Sequence, residues 1–190
     1  MFILYALVIG LAVGFLVGGR PAGLSRLQFR WPWVMLGGLF VQVLLFSDLV
    51  SSRIGDAGPP IYAVSTAAVV LAVVANRRIT GMPVVALGAA SNFAAIMANG
   101  GYMPAALDAL QAHGKVTSTV YSNSVVVQNP ALAPLTDIFA LPAWLPFANV
   151  FSVGDVLIGI GVAIVIVAAM RQVPPQPISG RGGDVPGLGG

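Results

Sequence analysis

The chain has 190 residues, of which 57% are hydrophobic and 8% charged, against about 25% charged in a typical soluble domain. So few charges cannot clothe a water-facing surface. The composition therefore excludes an ordinary soluble globular protein and requires lipid over much of the exterior. Eight arginines and one lysine against six aspartates give a net charge of +3. The basic residues fall in short clusters between apolar runs, as topology signals do, and no nucleic-acid partner is expected.

The first apolar run is Phe2–Gly18. At a rise of about 1.5 Å per residue it reaches about 25 Å, the short end for a bilayer. Nothing basic precedes it, and Arg20, Arg26 and Arg30 follow it. That asymmetry marks a retained anchor with its N-terminus outside, not a signal peptide. The second run, Trp31–Val50, opens with Trp31 and Trp33 beside Arg30, the residues of a membrane interface. Ser51–Pro59 reads as a turn, Pro60–Asn76 as the third run, and Met82–Ala98 as the fourth.

Tyr102–Ala148 is a long connection. Pro104–His113 reads as a short helix started by its proline. Thr117–Val127 is rich in β-branched residues and reads as extended. Asn129–Ala148 carries Pro130, Pro134, Pro142 and Pro146, too many for a regular spanning helix. Apolar but broken, it is expected on the bilayer surface, over the helix ends, or as a shielded re-entrant excursion. The fifth run is Asn149–Met170. The Pro/Gly-rich tail, 172–190, reads as disordered.

The expected fold is an all-α polytopic membrane helix bundle of five transmembrane helices. Spans fall at about 2–18, 31–50, 60–76, 82–98 and 149–170, within one membrane domain, 1–171. Residues 99–148 form an extracytoplasmic lid between the fourth and fifth. With the N-terminus outside and the C-terminus inside, Arg20, Arg26, Arg30, Arg77, Arg78 and Arg171 lie within, against Arg53 and Lys115 outside. Arginine in place of lysine suggests a bacterial genome, hence a bacterial cytoplasmic membrane.

Chemistry-bearing residues are few. Without cysteine there is no disulfide, thiolate or cysteine metal site. The single histidine, His113, makes no metal pair, and no nucleotide or hydrolase motif occurs. No cofactor and no enzymatic activity are expected. Asp155 lies inside the fifth run and is the sharpest candidate, because a carboxylate in a span should face protein or a wet cavity. It reads either as a proton or cation site or as an anchor for the long connection, with Arg53 as an available counter-ion. Gln42 and Asn92 sit near mid-span, and both are expected to face the interior and to meet. They read as an interhelical amide contact or a polar ligand site. Gly88, Asn92, Ala95 and Asn99 share one helical face. Ala6, Gly10, Gly14 and Gly18 form a small-residue stripe, as do Ser65, Ala68, Ala72 and Ala75, for packing within the bundle or for a homo-oligomer.

Three phrases occur in order: Gly19-Arg20 leading to Arg30-Trp31-Pro32-Trp33; Ser91-Asn92 leading to Ala98-Asn99-Gly100-Gly101-Tyr102-Met103-Pro104; and Pro146 through Ile158, with Asn149, Ser152 and Asp155. With them the chain resembles, over roughly residues 1–170, a bacterial family of small multi-pass membrane proteins, the domain of unknown function 5317. The resemblance implies a five-helix membrane domain and no known activity. It draws attention to Asn99-Gly100-Gly101 as a left-handed helix end and to Asn149 and Ser152 as caps of the fifth helix. These two ends are expected to clasp, closing the long connection over the outer mouth. Two functions remain open. One is an accessory protein binding membrane lipid, a partner membrane protein or a second copy. The other is a small transporter with Asp155, Asn92 and Gln42 along its path.

Overall fold

Apolar runs with no polar face must pack on one another or on lipid. The computed structural model describes residues 2–112 and 125–172 and is mostly helical. His113, Lys115, residues 117–124 and the tail from 173 lie outside the described residues.

The helices are α1 (Phe2–Leu16), α2 (Pro32–Leu45), α3 (Asp48–Ile54), α4 (Gly58–Ala75), α5 (Met82–Ala98), α6 (Leu107–Ala112) and α7 (Val153–Met170). Two two-residue strands, β1 (Pro104–Ala105) and β2 (Val125–Val126), pair in parallel. Two more, β3 (Phe139–Ala140) and β4 (Val150–Phe151), pair antiparallel.

Among the described residues two helices are long and apolar enough to cross a membrane: the continuous stretch Leu49–Ala75, which joins α3 to α4 through a 3-10 turn, and α7. α1, α2 and α5 are shorter apolar helices. The second run of the sequence is not one helix. It breaks at Ser47, whose Oγ donates to the Leu44 carbonyl at 2.6 Å and whose backbone turns extended before α3. The residues after the break join the third run and lengthen it. The short helix of the connection also starts later than expected. Pro104 lies in β1 and the helix begins at Leu107, because the carbonyl of Pro104 is taken by the Asp137 N–H at 2.9 Å.

In space α1 packs on α7, α7 on α5, α5 on α4 and α4 on α2. The α5–α7 pair is antiparallel and nearly backbone to backbone. A Cβ on Gly81 would sit 2.8 Å from the Val165 nitrogen, and one on Gly88 would sit 2.8 Å from the Ile158 nitrogen. Gly161 and Gly154 face these two glycines, so both helices repeat glycine every seven residues, two turns of helix. The α1–α7 pair is parallel: Ala6 lies against Gly159, Gly10 against Ala163 and Gly14 against Met170. The first small-residue stripe is thus spent inside the chain, except for Gly18, which leaves it in a left-handed turn with φ of +77°. In the second stripe, Ser65 and Ala72 are buried, and the Ser65 carbonyl faces Gly38 of α2.

The connection packs over one end of the helices. Phe151 stacks on Phe2 of α1 and on Phe139, with ring centroids 4.5 and 5.4 Å away. Leu141 N–H donates to the Asn149 carbonyl and closes the β3–β4 hairpin. Its tip carries Trp144, 81% exposed, and Phe147, 72% exposed.

Candidate functional site

The site is built at the start of α7, about one turn of α5 beyond Gly88. Ser152 is the N-cap of α7, with extended backbone. Its Oγ accepts from the Asp155 N–H at 3.0 Å, and its own N–H donates to Asp155 Oδ2 at 3.1 Å. This reciprocal capping box satisfies two of the free donors of a helix start. Asn92 of α5 closes the ring. The Ser152 hydroxyl donates to Asn92 Oδ1 at 2.7 Å, and Asn92 Nδ2 donates to Asp155 Oδ1 at 2.9 Å. The two bonds fix the amide's orientation, oxygen toward the hydroxyl and nitrogen toward the carboxylate. Gly154 is required here, since a Cβ on it would overlap Asn92 Oδ1. Ser152 is fully buried, while Asn92 and Asp155 are half-buried.

Asn92 and Asp155 of the ring form part of the wall of a half-open cavity of about 470 Å³. Phe2, Leu39, Tyr62 and Met103 give it apolar surface, and Gln42, Asn149 and Asp137 add polar groups. α1 and α2 stand on opposite sides of this space, at the two ends of the helix order.

The structure brings Asn92, Ser152 and Asp155 into direct contact and places Gln42 and Asn149 in the same cavity. Gln42 and Asn92 do not meet. Gln42 Nε2 donates instead to Thr66 Oγ1 of α4 at 3.2 Å, because α2 is joined to the bundle through α4. Asn149 does not cap α7. Its Oδ1 accepts the Phe2 N–H at 2.9 Å, so it caps the start of α1. Arg53 is not the counter-ion of Asp155; its Nη1 donates to the Leu49 carbonyl of its own helix at 2.6 Å.

Asn99 stands apart from the ring. Its amide accepts from Ala131 N–H and donates to the Ala131 carbonyl, both at 2.9 Å, and donates to the Ala95 carbonyl at 2.8 Å. It ties the proline-rich segment to the end of α5. Beyond it Gly100 and Gly101 take φ of +69° and +87°, and Gly101 N–H returns to the Ile96 carbonyl, the left-handed helix end expected there.

Sequence reasoning missed Asn76, the counterpart of Asn99 at the opposite end of the bundle. Buried at 3% exposure, it exchanges two bonds of 2.7 and 2.8 Å with the backbone of Arg30 and donates to the Ala72 carbonyl at 2.7 Å. The signal was present: each asparagine stands at the end of an apolar run, one residue past its helix, where helix carbonyls lack partners. Tyr62 and Asp137, both buried in the cavity wall, were also missed. Tyr62 lies inside an apolar run, and Asp137 lies in a segment without periodicity.

Among the described residues no group of three or more His, Cys, Asp or Glu could hold a metal ion. The site as built is a polar clasp between two helices beside a cavity of mixed character.

A small, mostly helical protein with two helices, among the described residues, long and apolar enough to cross a membrane, and a polar clasp between α5 and α7, is the class that fold and site define. Over residues 26–167 the chain matches the family described as Family of unknown function (DUF5317), and it belongs to that family. The match takes in the second and third phrases and the Arg30–Trp33 part of the first. Comparison with curated proteins and with solved structures gave no match.

Proposed function

We propose that this chain is a five-helix integral protein of the bacterial cytoplasmic membrane. Its role is accessory, binding lipid or a partner membrane protein, and it carries out no chemistry of its own. The observation that carries this reading is an exposed apolar belt. Val8, Phe40, Val43, Val64 and Leu87, on four different helices, are each 61–70% exposed. A soluble protein rarely shows so much apolar surface, whereas a bilayer covers it. Only 28% and 39% of the two long apolar windows is buried, too little for core helices.

Three further features support the reading. The directions of α1, α5 and α7 are those of alternating passes, with α1 and α7 running one way and α5 the other. Exposed tryptophans sit at both ends of the belt, Trp33 at 82% and Trp144 at 81%, as interfacial residues do. Arg20, Arg26, Arg30, Arg77, Arg78 and Arg171 all fall at one end, which is then cytoplasmic. The lid and the hairpin tip then lie outside.

A carrier working through Asp155 is the weaker reading. Both carboxylate oxygens of Asp155 are engaged. Inward of Asn92 the α5–α7 seam is glycine against backbone, with no room for a path between these helices.

Single cysteines at Ser25, Ser52, Arg77, Trp144 and Gln172, probed with a membrane-impermeant thiol reagent on intact cells, test the topology. Labelling is expected at Ser52 and Trp144 alone. Recovery of the chain in an alkaline carbonate wash, or two successive sites on one side, would end the five-pass reading.

A further inference from the structure

The arginine end carries more than a topology signal. Arg20 is tied there by its N–H to the Met170 carbonyl at 2.7 Å, and Arg30 by Asn76. None of the six arginine side chains has an ion-pair partner among the described residues. Every described aspartate lies in α3, in the turn after it, in the long connection or in the first turn of α7, toward the other end. Six positive charges therefore stand uncompensated by described carboxylates.

Two of them share a cavity. Arg26 and Arg78 line a space of about 330 Å³ with Thr80 and Gln28, over a floor of Val165 and Ala169 from α7. Cations and hydrogen-bond donors surround its mouth, and apolar atoms form its base. Both arginines leave anchored backbone. The turn that ends at Arg26 is seated by Gly23, where a Cβ would overlap the Ala169 carbonyl. Arg78 follows Asn76 by two residues, and Ile79 N–H closes that turn on the Asn76 carbonyl at 2.9 Å. A guanidinium presents a planar fork of donors that matches phosphate oxygens in pairs, and a preset backbone lowers the entropy lost on binding.

We propose that the Arg26–Arg78 cavity binds the phosphate of an anionic phospholipid from the leaflet on that side, with the start of its acyl region against Val165 and Ala169. The inference deepens the membrane reading and rests on it. Basic pockets between helix ends on the cytoplasmic side take lipid headgroups in this way.

The test uses the full chain in mild detergent, with phosphatidylglycerol, phosphatidylcholine and inorganic phosphate as probes and native mass spectrometry as readout. The variants are R26Q/R78Q, R26K/R78K, and R20Q/R171Q, which removes the same charge elsewhere at that end. Wild type and R20Q/R171Q are expected to retain phosphatidylglycerol over phosphatidylcholine. R26Q/R78Q should bind it roughly 30-fold more weakly, the effect of two interfacial arginines. R26K/R78K should fall between them, and millimolar phosphate should not displace the lipid. Equal losses in the two glutamine pairs would reduce the site to the general potential of that end. Phosphate competing on equal terms would make it a free-anion site and overturn the lipid assignment. A chain that stays soluble without detergent would remove the membrane reading itself. A detergent-dependent chain with no selective loss would remove only the site.

Discussion

Asn92 Nδ2 meets Asp155 Oδ1 at 2.9 Å across 63 positions of sequence, while the other oxygen of the same carboxylate holds the Ser152 N–H. Each acceptor already has a donor. In Asp155→Asn one oxygen becomes an NH2 group, so one of those donors faces another donor. A loss of about 1–3 kcal/mol is expected, read as thermal or denaturant stability in detergent. Because the three side chains form one ring, Asn92→Ala and Asp155→Ala should be non-additive. A double-mutant cycle should return a coupling of about 0.5–3 kcal/mol. Additive losses would mean that the ring does not act as a unit.

The glycines divide by what a methyl group would strike. On Gly88 it would press on the backbone of α7, and neither helix can retreat without opening the seam. Gly88→Ala is expected to cost about 1–3 kcal/mol. On Gly37 of α2 a methyl group would meet nothing within 4 Å. Gly37→Ala should be neutral or stabilising by up to about 1 kcal/mol, since alanine loses less backbone freedom in a helix. A melting series of the two variants decides, and equal effects would contradict the close seam.

Asn76 and Asn99 do the same work at opposite ends, with different exposure. Asn76 is buried and makes three bonds, so Asn76→Ala should lower global stability by about 2–4 kcal/mol, leaving the Arg30 backbone unpaired. Asn99 is half-buried and holds a surface segment. Asn99→Ala should leave the global melt nearly unchanged while speeding proteolysis within residues 129–148, a local opening. Proteolysis unchanged in Asn99→Ala would show that the hairpin and not the asparagine holds the segment.

Trp33 and Trp144 should report two interfaces. In single-tryptophan variants reconstituted in lipid, each is expected to be quenched more by bromine near the headgroup than by bromine at the chain ends. Deep quenching of Trp144 would place the hairpin tip inside the bilayer, as a re-entrant excursion.

Much of the helical framework was legible because long apolar runs leave a coarse signature. Four of the five apolar runs correspond to one helix each, and the end of the fourth, Asn99-Gly100-Gly101, turned as its residues dictated. Ser152 and Asp155 stand three apart, so a capping box was readable locally. What could not be read was pairing at a distance. Nothing near Asn149 says that its amide serves Phe2, and nothing near Gln42 names Thr66 over Asn92. The break at Ser47 was hidden for a different reason. One serine bonding back to its own helix is a small local event inside a run whose average hydropathy stays high.

The parallel pairing of α1 with α7 also sets an order of events during synthesis. α1 finds its long-term neighbour, and the asparagine that receives the Phe2 N–H, only 147 positions later. At about 5–20 residues per second that is a delay of roughly 7–30 s. Throughout it the groove of Gly10 and Gly14 lies unfilled, open to any other apolar helix. The row α1–α7–α5–α4–α2 is therefore completed from within, when α7 enters between α1 and α5, and a chain stopped before α7 would leave the glycine face of α1 unclaimed.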